Sequence, residues 1–487
     1  MLAKIIISEA ALSDPASAEV SYLLVVMPKS ELLPNEFAGR EVLQALLKRR
    51  TMKPAELGAE PLAAELGQGG IAAWVMVDFA APVFERHTAV RKALQLLLAE
   101  NPRSLDIVAI GDDAQQRQAA DIAVYCALVN APLPTQKKND DARVLGTITV
   151  HGIDNDQSFA RTLALAEGNY LARLLTVLPP NELTPAIYRQ RIAALAGDNA
   201  WQHREFDLPQ LKEMGAGAFL AVAQGSAEQD AAIVRVSYRN ERATQTVALV
   251  GKGICFDTGG HNLKPARGML GMHEDMNGSA VALAILVAVT RLELPVNIDC
   301  WLAIAQNHLS PTAYKQNDVV TALNGTTIEI IHTDAEGRMV LADTLTLAAR
   351  EKPAMIIDFA TLTGSMVTAL GTRYSGIFSN RDDLLTRAVA GGKTSGERVS
   401  AFPLDADYEV ALKSEVADTK QCVIAGEADH ILAARFLLKF VDALPWLHMD
   451  LSAASCEGGL GAVASQTTGF GVRWGVELLE ALISDEE

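Results

Sequence analysis

A run of apolar residues that leads into a glycine-rich turn constrains the fold of this chain most. Residues 246–251 read Thr-Val-Ala-Leu-Val-Gly, and residues 252–260 continue as Lys-Gly-Ile-Cys-Phe-Asp-Thr-Gly-Gly. Because the run is apolar throughout, and not only at alternate positions, it is typical of a strand in a sheet that helices cover on both faces. In open α/β sheets, ligands bind at the carboxyl ends of the strands. We therefore expect Lys252 and Asp257 to lie at a functional site.

Predicted strands alternate with predicted helices along the whole chain, which indicates an α/β fold. In the first third, strands are expected at residues 5–7, 20–27, 72–79 and 106–111, and helices at 88–98 and 115–129. In the rest, strands are expected at 246–251, 297–305, 327–333, 355–360 and 446–451, and helices at 278–291, 339–350, 431–444 and 475–483. The pattern predicts an N-terminal α/β domain and a larger C-terminal α/β domain, whose mostly parallel mixed sheet is covered by helices.

The domain boundary is expected at a long amphipathic helix, residues 159–178, which Pro-Pro-Asn follows directly. The chain has 487 residues, too many for one compact core. Thr184 and Pro185 fit the cap and first residue of a new helix. We predict an N-terminal domain at 1–158, a connecting helix and linker at 159–184, and a second domain at 185–487.

The charge and cysteine content argue against several classes of protein. Asp and Glu number 59 against 42 Lys and Arg, a net charge of −17, which disfavours general contact with nucleic acid or anionic lipid. The five cysteines are scattered and form no CxxC pair, which argues against a disulfide framework or a thiolate zinc site and suits a reducing compartment. The longest apolar stretch, residues 280–289, is too short to span a membrane. We expect a cytoplasmic protein with neither membrane nor nucleic acid as its partner.

A second polar cluster, His-Thr-Asp-Ala-Glu-Gly-Arg, occupies residues 332–338. Asp334 and Glu336 are two residues apart, so on extended backbone their side chains point the same way. Lys264 follows the glycine-rich turn, and Asp275 precedes an Ala-rich helix. Each feature alone is most often a surface charge or a turn.

Taken together, these residues place four carboxylates, two lysines and an arginine near strand ends in an apolar context. Packed carboxylates repel one another unless cations neutralise them, and a pair of divalent ions does this well. Oxygen-rich ligation without cysteine suits Zn²⁺, Mn²⁺ or Mg²⁺. The HExxH helix of many zinc proteases is absent.

Three segments resemble the leucyl (cytosol) aminopeptidase family. They are residues 250–260, Thr-Asp-Ala-Glu-Gly-Arg-Met-Val-Leu-Ala-Asp at 333–343, and Asp-Phe-Ala-Thr-Leu-Thr-Gly at 358–364. The Asp-Ala-Glu-Gly-Arg signature is highly specific. The resemblance extends from about residue 170 to the end, and its C-terminal stretches are more similar to the peptidase B branch. By resemblance alone, the first third is the smaller N-terminal domain of that family.

The resemblance implies a metallo-aminopeptidase that releases N-terminal amino acids, leucine-like and others, from peptides by means of a water that two metal ions activate. Two divalent ions per subunit, Mn²⁺ or Zn²⁺, are expected. Asp257 and Glu336 would bridge them, with Lys252 and Asp275 completing one site and Asp334 the other. Lys252 would have to bind as a neutral amine, its pKa depressed by burial and by the metals. A metal ion would also take the free α-amine of the peptide, which restricts the enzyme to N-terminal residues.

The resemblance also implies roles around the metals. Lys264 would stabilise the developing oxyanion, and Arg338 would hold a bicarbonate ion that acts as the general base. Peptide substrates would contact residues at four further positions: Met272, which would line the side-chain pocket, and Thr361, Leu362 and Gly364. The family further implies a homohexamer.

Several residues depart from the family pattern. His332 occupies a position where the family usually has Asn. It could bind substrate or act as an extra metal ligand. We favour a third interpretation, a neutral histidine at the pocket wall. His261 and Asn262 replace a small apolar-serine pair beside Lys264. Gln306 replaces an acidic residue, and Asn317 replaces a glycine, where Asn tolerates left-handed backbone. These departures leave substrate preference and turnover open.

Two alternatives remain beside the aminopeptidase. One is a catalytically weak family member with a binding or DNA-related regulatory role. The other is a two-metal hydrolase of a different amide, such as a Cys-Gly dipeptide. The intact set of charged residues favours the aminopeptidase, because drift in a non-enzyme would have damaged at least one of them. The sequence does not determine the metal, the preferred N-terminal residue or the role of the first domain.

Overall fold

In the computed structural model the chain forms two compact units, and the structure describes residues 2–12, 20–66, 69–138, 144–154, 158–424 and 426–484. The first unit comprises Met1–Tyr170, Lys393–Glu397 and Cys456–Thr468, and the second comprises Leu171–Gly392, Arg398–Ser455 and Gly469–Glu487. The units are thus not contiguous in sequence, because two late segments group with the first unit. The boundaries predicted at 158 and 184 stay a prediction.

The first unit contains a six-stranded sheet. Its strands are β1 (Lys4–Ser8), β2 (Tyr22–Pro28), β3 (Leu62–Leu66), β4 (Gly70–Val77), β5 (Ser104–Ala109) and β6 (Thr147–His151), in the order β1-β6-β5-β2-β4-β3. All neighbours are parallel except β3 and β4. Its helices are α1 (Arg40–Arg50), α2 (Val83–Leu98) and α3 (Asp113–Val129). The predicted alternation of strands and helices is therefore confirmed.

The next two helices are α4 (Ala160–Thr176) and α5 (Pro185–Asp198). Thr184 caps α5 with its side chain, which accepts a hydrogen bond from the backbone N–H of Ile187, and Pro185 is the first residue. This is the arrangement that Thr-Pro predicts, because proline loses no helical hydrogen bond in the first turn.

The second unit contains an eight-stranded mixed sheet with a largely parallel centre. Its strands are β7 (Gln202–Asp207), β8 (Ala232–Tyr238), β9 (Thr246–Asp257), β10 (Asn297–Asn307), β13 (Met355–Ala360), β14 (Ser375–Ser379), β15 (Val399–Ala401) and β17 (Trp446–Asp450), in the order β15-β14-β17-β13-β9-β10-β8-β7. Strand β9 pairs in parallel with both β10 and β13. A small sheet joins β11 (Val319–Thr321), β12 (Thr327–Glu329) and β16 (Thr419–Lys420).

Helices cover both faces of the large sheet, as its apolar strands predict. They include α6 (Leu208–Met214), α7 (Gly217–Ala223), α8 (Ala266–Met269), α9 (Asn277–Arg291), α10 (Glu336–Arg350), α11 (Gly364–Leu370), α12 (Asp382–Ser395), α13 (Asp429–Leu437) and α14 (Val472–Ser484). Val250 belongs to the core that α7 and α10 share, whereas α9 approaches Gly251 from the other face. A Cβ at Gly251 would lie 2.4 Å from the Cα of Ser279, so α9 packs this closely only against glycine.

Three predicted bounds differ where the chain approaches the site. Strand β9 continues to Asp257, so Lys252 lies inside it. Strand β12 ends at Glu329, four residues early, and α10 begins at Glu336, three residues early. Among the described residues, no helix has the length and apolar character needed to cross a membrane.

Candidate metal centre

Strand β9 brings Lys252 and Asp257 to the same site although they are five residues apart. In a regular strand, side chains at odd spacing point to opposite faces. Ile254 pairs with Ala305, and Asp257 pairs with Asn307, so β9 holds one more residue than β10 in this stretch. Such a bulge reorients the following side chain, which explains how both residues reach one site.

Lys252 lies in a tight, almost fully buried cage, with 3% of its surface exposed. Its Nζ is 2.8 Å from Oδ1 of Asp275 and 2.9 Å from Oε1 of Glu336, and it donates to the carbonyl of Thr361 at 3.1 Å. A Cβ at Gly337 would approach Nζ to 2.7 Å. The Glu-Gly-Arg order of the signature therefore has a steric reason, since only glycine leaves space for the lysine.

Asp334 and Glu336 converge by a different route from the one expected. The prediction of extended backbone is wrong, because Asp334 lies in a turn and Glu336 is the first residue of α10. The two side chains nevertheless meet. One carboxylate oxygen from each of Asp257, Asp334 and Glu336 lies within 4.8 Å of the others, close enough for one metal ion. We call Lys252, Asp257, Asp275, Asp334 and Glu336 together the metal centre.

Lys264 closes the more open side of the metal centre. Its Nζ lies 2.9 Å from Oδ2 of Asp257 and 2.5 Å from Oδ1 of Asp334. Asp257 also accepts hydrogen bonds of 2.8 Å from the side-chain amide of Asn307 and from the backbone N–H of Gly259, which fix its carboxylate. The two lysines therefore neutralise part of the carboxylate charge from opposite ends.

The crowding of charge shifts the pKa of most groups in the metal centre. Burial raises the pKa of Asp334 to about 6 and that of Glu336 to about 7, and neighbouring carboxylates add to both shifts. Burial and the other carboxylates raise the pKa of Asp275 to about 8, although Lys252 lowers it. These carboxyl groups resist ionisation among side chains alone, so added positive charge would stabilise their ionised forms.

The pKa of Lys252 is not lowered in the absence of metal ions, although the sequence analysis expected burial and the metals together to depress it. Burial does lower the pKa of its ammonium, but Asp275, Glu336 and Asp257 raise it further, so the net pKa is above the ordinary value. Burial alone therefore does not make Lys252 a neutral amine. A metal ion would have to replace the proton.

The residues of the metal centre fit divalent cations. Oδ2 of Asp275 and Oε2 of Glu336 are buried and have no hydrogen-bond partner within the described part of the chain. Buried carboxylate oxygens are rarely left unpaired unless another group engages them. Carboxylate oxygens with one lysine amine and no thiolate form a hard donor set, which suits Mn²⁺ or Zn²⁺.

Arg338 lies in the first turn of α10, two residues after Glu336, and is buried. Its NH2 nitrogen donates to both carboxylate oxygens of Asp429, at 2.9 and 3.0 Å, and NH1 donates to the backbone carbonyl of Gln421 at 3.1 Å. The sequence analysis missed both partners. No signal near either residue indicates the contact, because both are more than eighty residues away.

Gln421 holds the turn that carries Asp334. Its Oε1 accepts hydrogen bonds from the backbone N–H groups of Ile331 and His332, and its Nε2 donates to the carbonyl of Ala335. The side chain is fully buried. It therefore fixes the turn on both sides of Asp334.

His332 lies beside Asp334. Its Nδ1 accepts a hydrogen bond of 3.3 Å from the backbone N–H of Asp334. Burial, and then the charge of Lys264, lower its pKa, so the ring is neutral at pH 7.

The other departures from the family pattern have structural partners. Asn262 accepts a hydrogen bond from the N–H of Thr333 at 2.8 Å and donates its own N–H to the Thr333 hydroxyl, which supports the same turn. His261 contacts the carbonyl of Tyr314 through Nδ1 at 3.0 Å. Gln306 accepts from the Ser226 hydroxyl at 3.4 Å. All three side chains therefore help to hold the site's surroundings together.

The segment after β13 brings Thr361 to the metal centre. The Thr361 hydroxyl donates to Oδ1 of Asp275 at 2.8 Å. Asp450, which the sequence analysis missed, accepts from the backbone N–H groups of Leu362 and Thr363 and from the Thr363 hydroxyl at 2.6 Å.

Gly364 and Met272 border the same region. Gly364 begins α11 directly after this segment, and Met272 begins the 3-10 turn that contains Asp275. Met272 thus shares a turn with Asp275, and His332 and Thr361 contact Asp334 and Asp275, whereas Leu362 and Gly364 lie in the segment that follows Thr361.

Comparison with known proteins agrees with this geometry. A model of the cytosol aminopeptidase family, catalytic domain, matches residues 170–476. The chain belongs to the cytosol aminopeptidase family. It is therefore a hydrolase of the metallo-exopeptidase class, as the Asp-Ala-Glu-Gly-Arg signature predicts.

Relatives of this aminopeptidase match across most of its length. A probable cytosol aminopeptidase of Bradyrhizobium sp. is 38% identical over 355 residues, which is 72% of this chain and 70% of that protein. One of Syntrophotalea carbinolica is 40% identical over 354 residues, 71% of each. Among solved structures, the bottromycin maturation enzyme BotP in complex with Mn is similar, with 31% identity and a TM-score of 0.81, and the match covers 95% of this chain and 99% of that one. The expected α/β fold of the aminopeptidase is thereby confirmed.

Proposed function

We propose that this aminopeptidase releases N-terminal amino acids, leucine-like and others, from peptides, using two divalent metal ions bound at the metal centre. The observation that carries the proposal is the convergence of four carboxylates on two lysines, Lys252 and Lys264, with two carboxylate oxygens that have no hydrogen-bond partner among the described residues. Such a set is costly to bury without additional cations.

The ligand assignment comes from the family resemblance, and the contacts support it. Asp257 and Glu336 would bridge the two ions. Lys252 and Asp275, which are 2.8 Å apart, would complete one site, and Asp334 would complete the other. Either Mn²⁺ or Zn²⁺ suits these donors. The similar BotP structure is a complex with Mn, which supports Mn²⁺ as the first ion to test.

The metal ions, when bound, would act as Lewis acids that polarise the peptide carbonyl and generate the attacking nucleophile from water at neutral pH. Lys264, whose ammonium lies between Asp257 and Asp334, would stabilise the negative charge that develops on the carbonyl oxygen. Burial lowers the pKa of Lys264, but Asp257, Glu336 and Asp334 raise it further, so the net pKa is high and the side chain stays charged at the pH of the reaction.

The peptide would lie along the segment after β13. We propose that Thr361, Leu362 and Gly364 contact it through backbone groups that Lys252 and Asp450 leave free. Met272 and the neutral His332 would border the N-terminal side chain. A thioether adapts to apolar side chains of different shape, which supports a preference for leucine-like residues without strict selection.

The bicarbonate that the family resemblance places on Arg338 would have to compete with groups that Arg338 already binds. Asp429 occupies the NH2 nitrogen with both oxygens, and the carbonyl of Gln421 occupies NH1. No catalytic step is therefore assigned to bicarbonate.

We also propose a cytoplasmic homohexamer that acts on peptides. The names of the relatives support the location, and all five cysteines are free, as a reducing compartment allows. The hexamer rests on the family resemblance. Light scattering after gel filtration tests it, and a mass six times the 52.0 kDa of one chain is expected.

Hydrolysis of leucine p-nitroanilide and of a Leu-Gly dipeptide tests the activity. After treatment with EDTA the protein should be inactive, and added Mn²⁺ or Zn²⁺ should restore the release of leucine. N-acetylated Leu-Gly is the matched control and should not be cleaved. Cleavage of the blocked peptide would indicate another amide hydrolase. Folded protein that is inactive with both Mn²⁺ and Zn²⁺ would favour the binding or DNA-related role. A salt-dependent gel shift would then test that role.

A further inference from the structure

Arg338 already binds an anion that the chain itself supplies. Its guanidinium is 2% exposed, whereas the Asp429 side chain is 24% exposed and reaches the guanidinium from the solvent side. Both Asp429 oxygens lie within 3.0 Å of the same NH2 nitrogen. The charge of Arg338 is therefore balanced at close range by a carboxylate, through charge-assisted hydrogen bonds.

This ion pair lies beside the metal centre. Arg338 follows Glu336 by two residues in α10, and its other nitrogen binds the carbonyl of Gln421. The Gln421 side chain in turn bonds the backbone on both sides of Asp334, at His332 and Ala335. A short chain of hydrogen bonds thus links the Asp429 carboxylate to the turn that carries a metal-centre residue.

The backbone holds Asp429 in this place. Asp429 is the first residue of α13, and Ala428 before it has a φ of 52°, in the left-handed region that alanine rarely adopts. The carbonyl of Ala428 accepts from the N–H groups of Ile431 and Leu432, and the N–H of His430 donates to the Ser365 hydroxyl at 2.9 Å. An unusual conformation that neighbouring contacts maintain is often found at functional positions.

We propose that the Asp429 carboxylate takes the place on Arg338 that a bound bicarbonate would fill, so that this enzyme carries a built-in carboxylate beside its metal centre and does not depend on bicarbonate. A carboxylate and a bicarbonate both accept hydrogen bonds from guanidinium N–H groups, so a bicarbonate would compete with Asp429 for the NH2 nitrogen of Arg338. A tethered group also has a higher effective concentration than a free ion. This inference rests on the proposed aminopeptidase function.

The test compares activity with and without bicarbonate. Mn²⁺-loaded wild type is assayed on leucine p-nitroanilide in bicarbonate-free buffer and then with rising bicarbonate, and we expect no change in rate. Asp429→Ala uncovers Arg338, so its kcat/KM should fall by roughly 10- to 100-fold, as when a partner group beside a metal is lost. Bicarbonate or formate should restore much of that loss.

Two further variants separate the role of the charge from effects on folding. Asp429→Asn keeps the shape without the charge, and it should lose activity without rescue, because the amide fills the space. Glu409→Ala is the matched control: it removes a carboxylate from a different arginine, Arg435 of α13, and should show no response to bicarbonate. Binding of ¹³C-bicarbonate, followed by NMR, gives a readout without turnover and should be saturable in Asp429→Ala and absent in wild type.

The outcomes are distinguishable from failure of the proposed function. Stimulation of active wild type by bicarbonate, or saturable binding of bicarbonate to it, would overturn the inference and leave the aminopeptidase intact. Full activity of Asp429→Ala in bicarbonate-free buffer would also overturn it. If metal-loaded wild type cleaves no peptide at all, the proposed function fails, and the NMR experiment still decides whether Asp429 excludes the anion.

Discussion

At the scale of single residues, Lys252 is the most unusual member of the metal centre. Its ammonium lies between Asp275 and Glu336, both within 2.9 Å, where a metal ion would serve the same electrostatic purpose. Lysine can bind a metal only after it loses its proton. A proton and a metal ion therefore compete for the Nζ nitrogen of Lys252.

Metal binding should therefore release protons and weaken at low pH. The pKa of Asp275 is raised to about 8 and that of Asp334 to about 6, so these groups take up protons as the pH falls through that range. A protonated carboxyl is a poor ligand, so the affinity for Mn²⁺ should decrease from about pH 8 to about pH 6. Calorimetry in buffers of different ionisation enthalpy measures both effects. A pH-independent affinity without proton release would contradict this account of Lys252.

Asp334→Asn tests the ligand assignment. The variant should lose bound metal, and kcat/KM should fall by at least about 100-fold, the upper range for residues that only support a ligand. The fold should persist, because the change is isosteric and removes a charge from a crowded cluster. Metal analysis, circular dichroism and thermal unfolding measure these effects. Asp383→Asn, the same change at an exposed residue of α12, is the control. Full activity of Asp334→Asn would show that the assignment is wrong.

Much of the site at this scale could be predicted from the sequence. The glycine-rich turn and the Asp-Ala-Glu-Gly-Arg signature identify the charged residues that the structure brings together. Asn317, expected to tolerate left-handed backbone, has a φ of 68°. Gln421, Asp429 and Asp450 could not be found, because each reaches the site from a distant segment, and only the tertiary fold makes them neighbours.

At the scale of elements, the site depends on irregularities. The bulge in β9 reorients Asp257, and the turn before α10 brings Asp334 towards Glu336. Apolar periodicity predicts the strands and helices themselves, but it reveals neither a single inserted residue in a strand nor the exact residue at which a helix begins. For this reason the sequence predicted which charged residues converge, but it did not predict the backbone conformation that brings them together.

Gln421→Leu should loosen the turn that carries Asp334. The change leaves the partly buried N–H groups of Ile331 and His332 without their partner, which costs at most about 1–3 kcal/mol each. Metal affinity should fall by roughly 10- to 100-fold. Gln316→Leu is the control, since this exposed side chain also bonds the turn, through the carbonyl of Ile331. Urea unfolding and metal titration measure the two effects. Equal behaviour of the two variants would contradict the role of Gln421.

The neighbouring strands β13 and β17 contain a buried pair that should make stability depend on pH. Asp358 and His448 face each other in register and are joined by a bond of 2.6 Å, with both side chains fully buried. Burial lowers the pKa of His448, but Asp358 raises it further, and the net pKa is above the ordinary value.

The pair should therefore stabilise the fold fully below the unfolded-state pKa, about 6.5, and the stabilisation should be lost as the pH rises through the folded-state pKa of His448. Asp358→Asn should remove that part of the slope and, below about pH 6.5, cost about 3–5 kcal/mol, as for other broken buried pairs. Denaturant unfolding at several pH values measures the slope. An unchanged slope in the variant would show that the pair does not titrate this way.

At the scale of the whole molecule, the fold class and the position of the site in the later part of the chain could be predicted, because buried strands and the signature lie there. The membership of Lys393–Glu397 and Cys456–Thr468 in the first unit could not. Arg91 shows why: it donates to the carbonyls of Gly458 and Val463, more than 350 residues away, and no local pattern encodes such a contact.

Anomalous diffraction from crystals of the full chain grown with Mn²⁺ tests the central claim most directly. Two peaks per subunit are expected, one in contact with Lys252 and Asp275 and the other in contact with Asp334, both bordered by Asp257 and Glu336. A single peak, or peaks away from these residues, would contradict the two-metal centre on which the proposed activity rests.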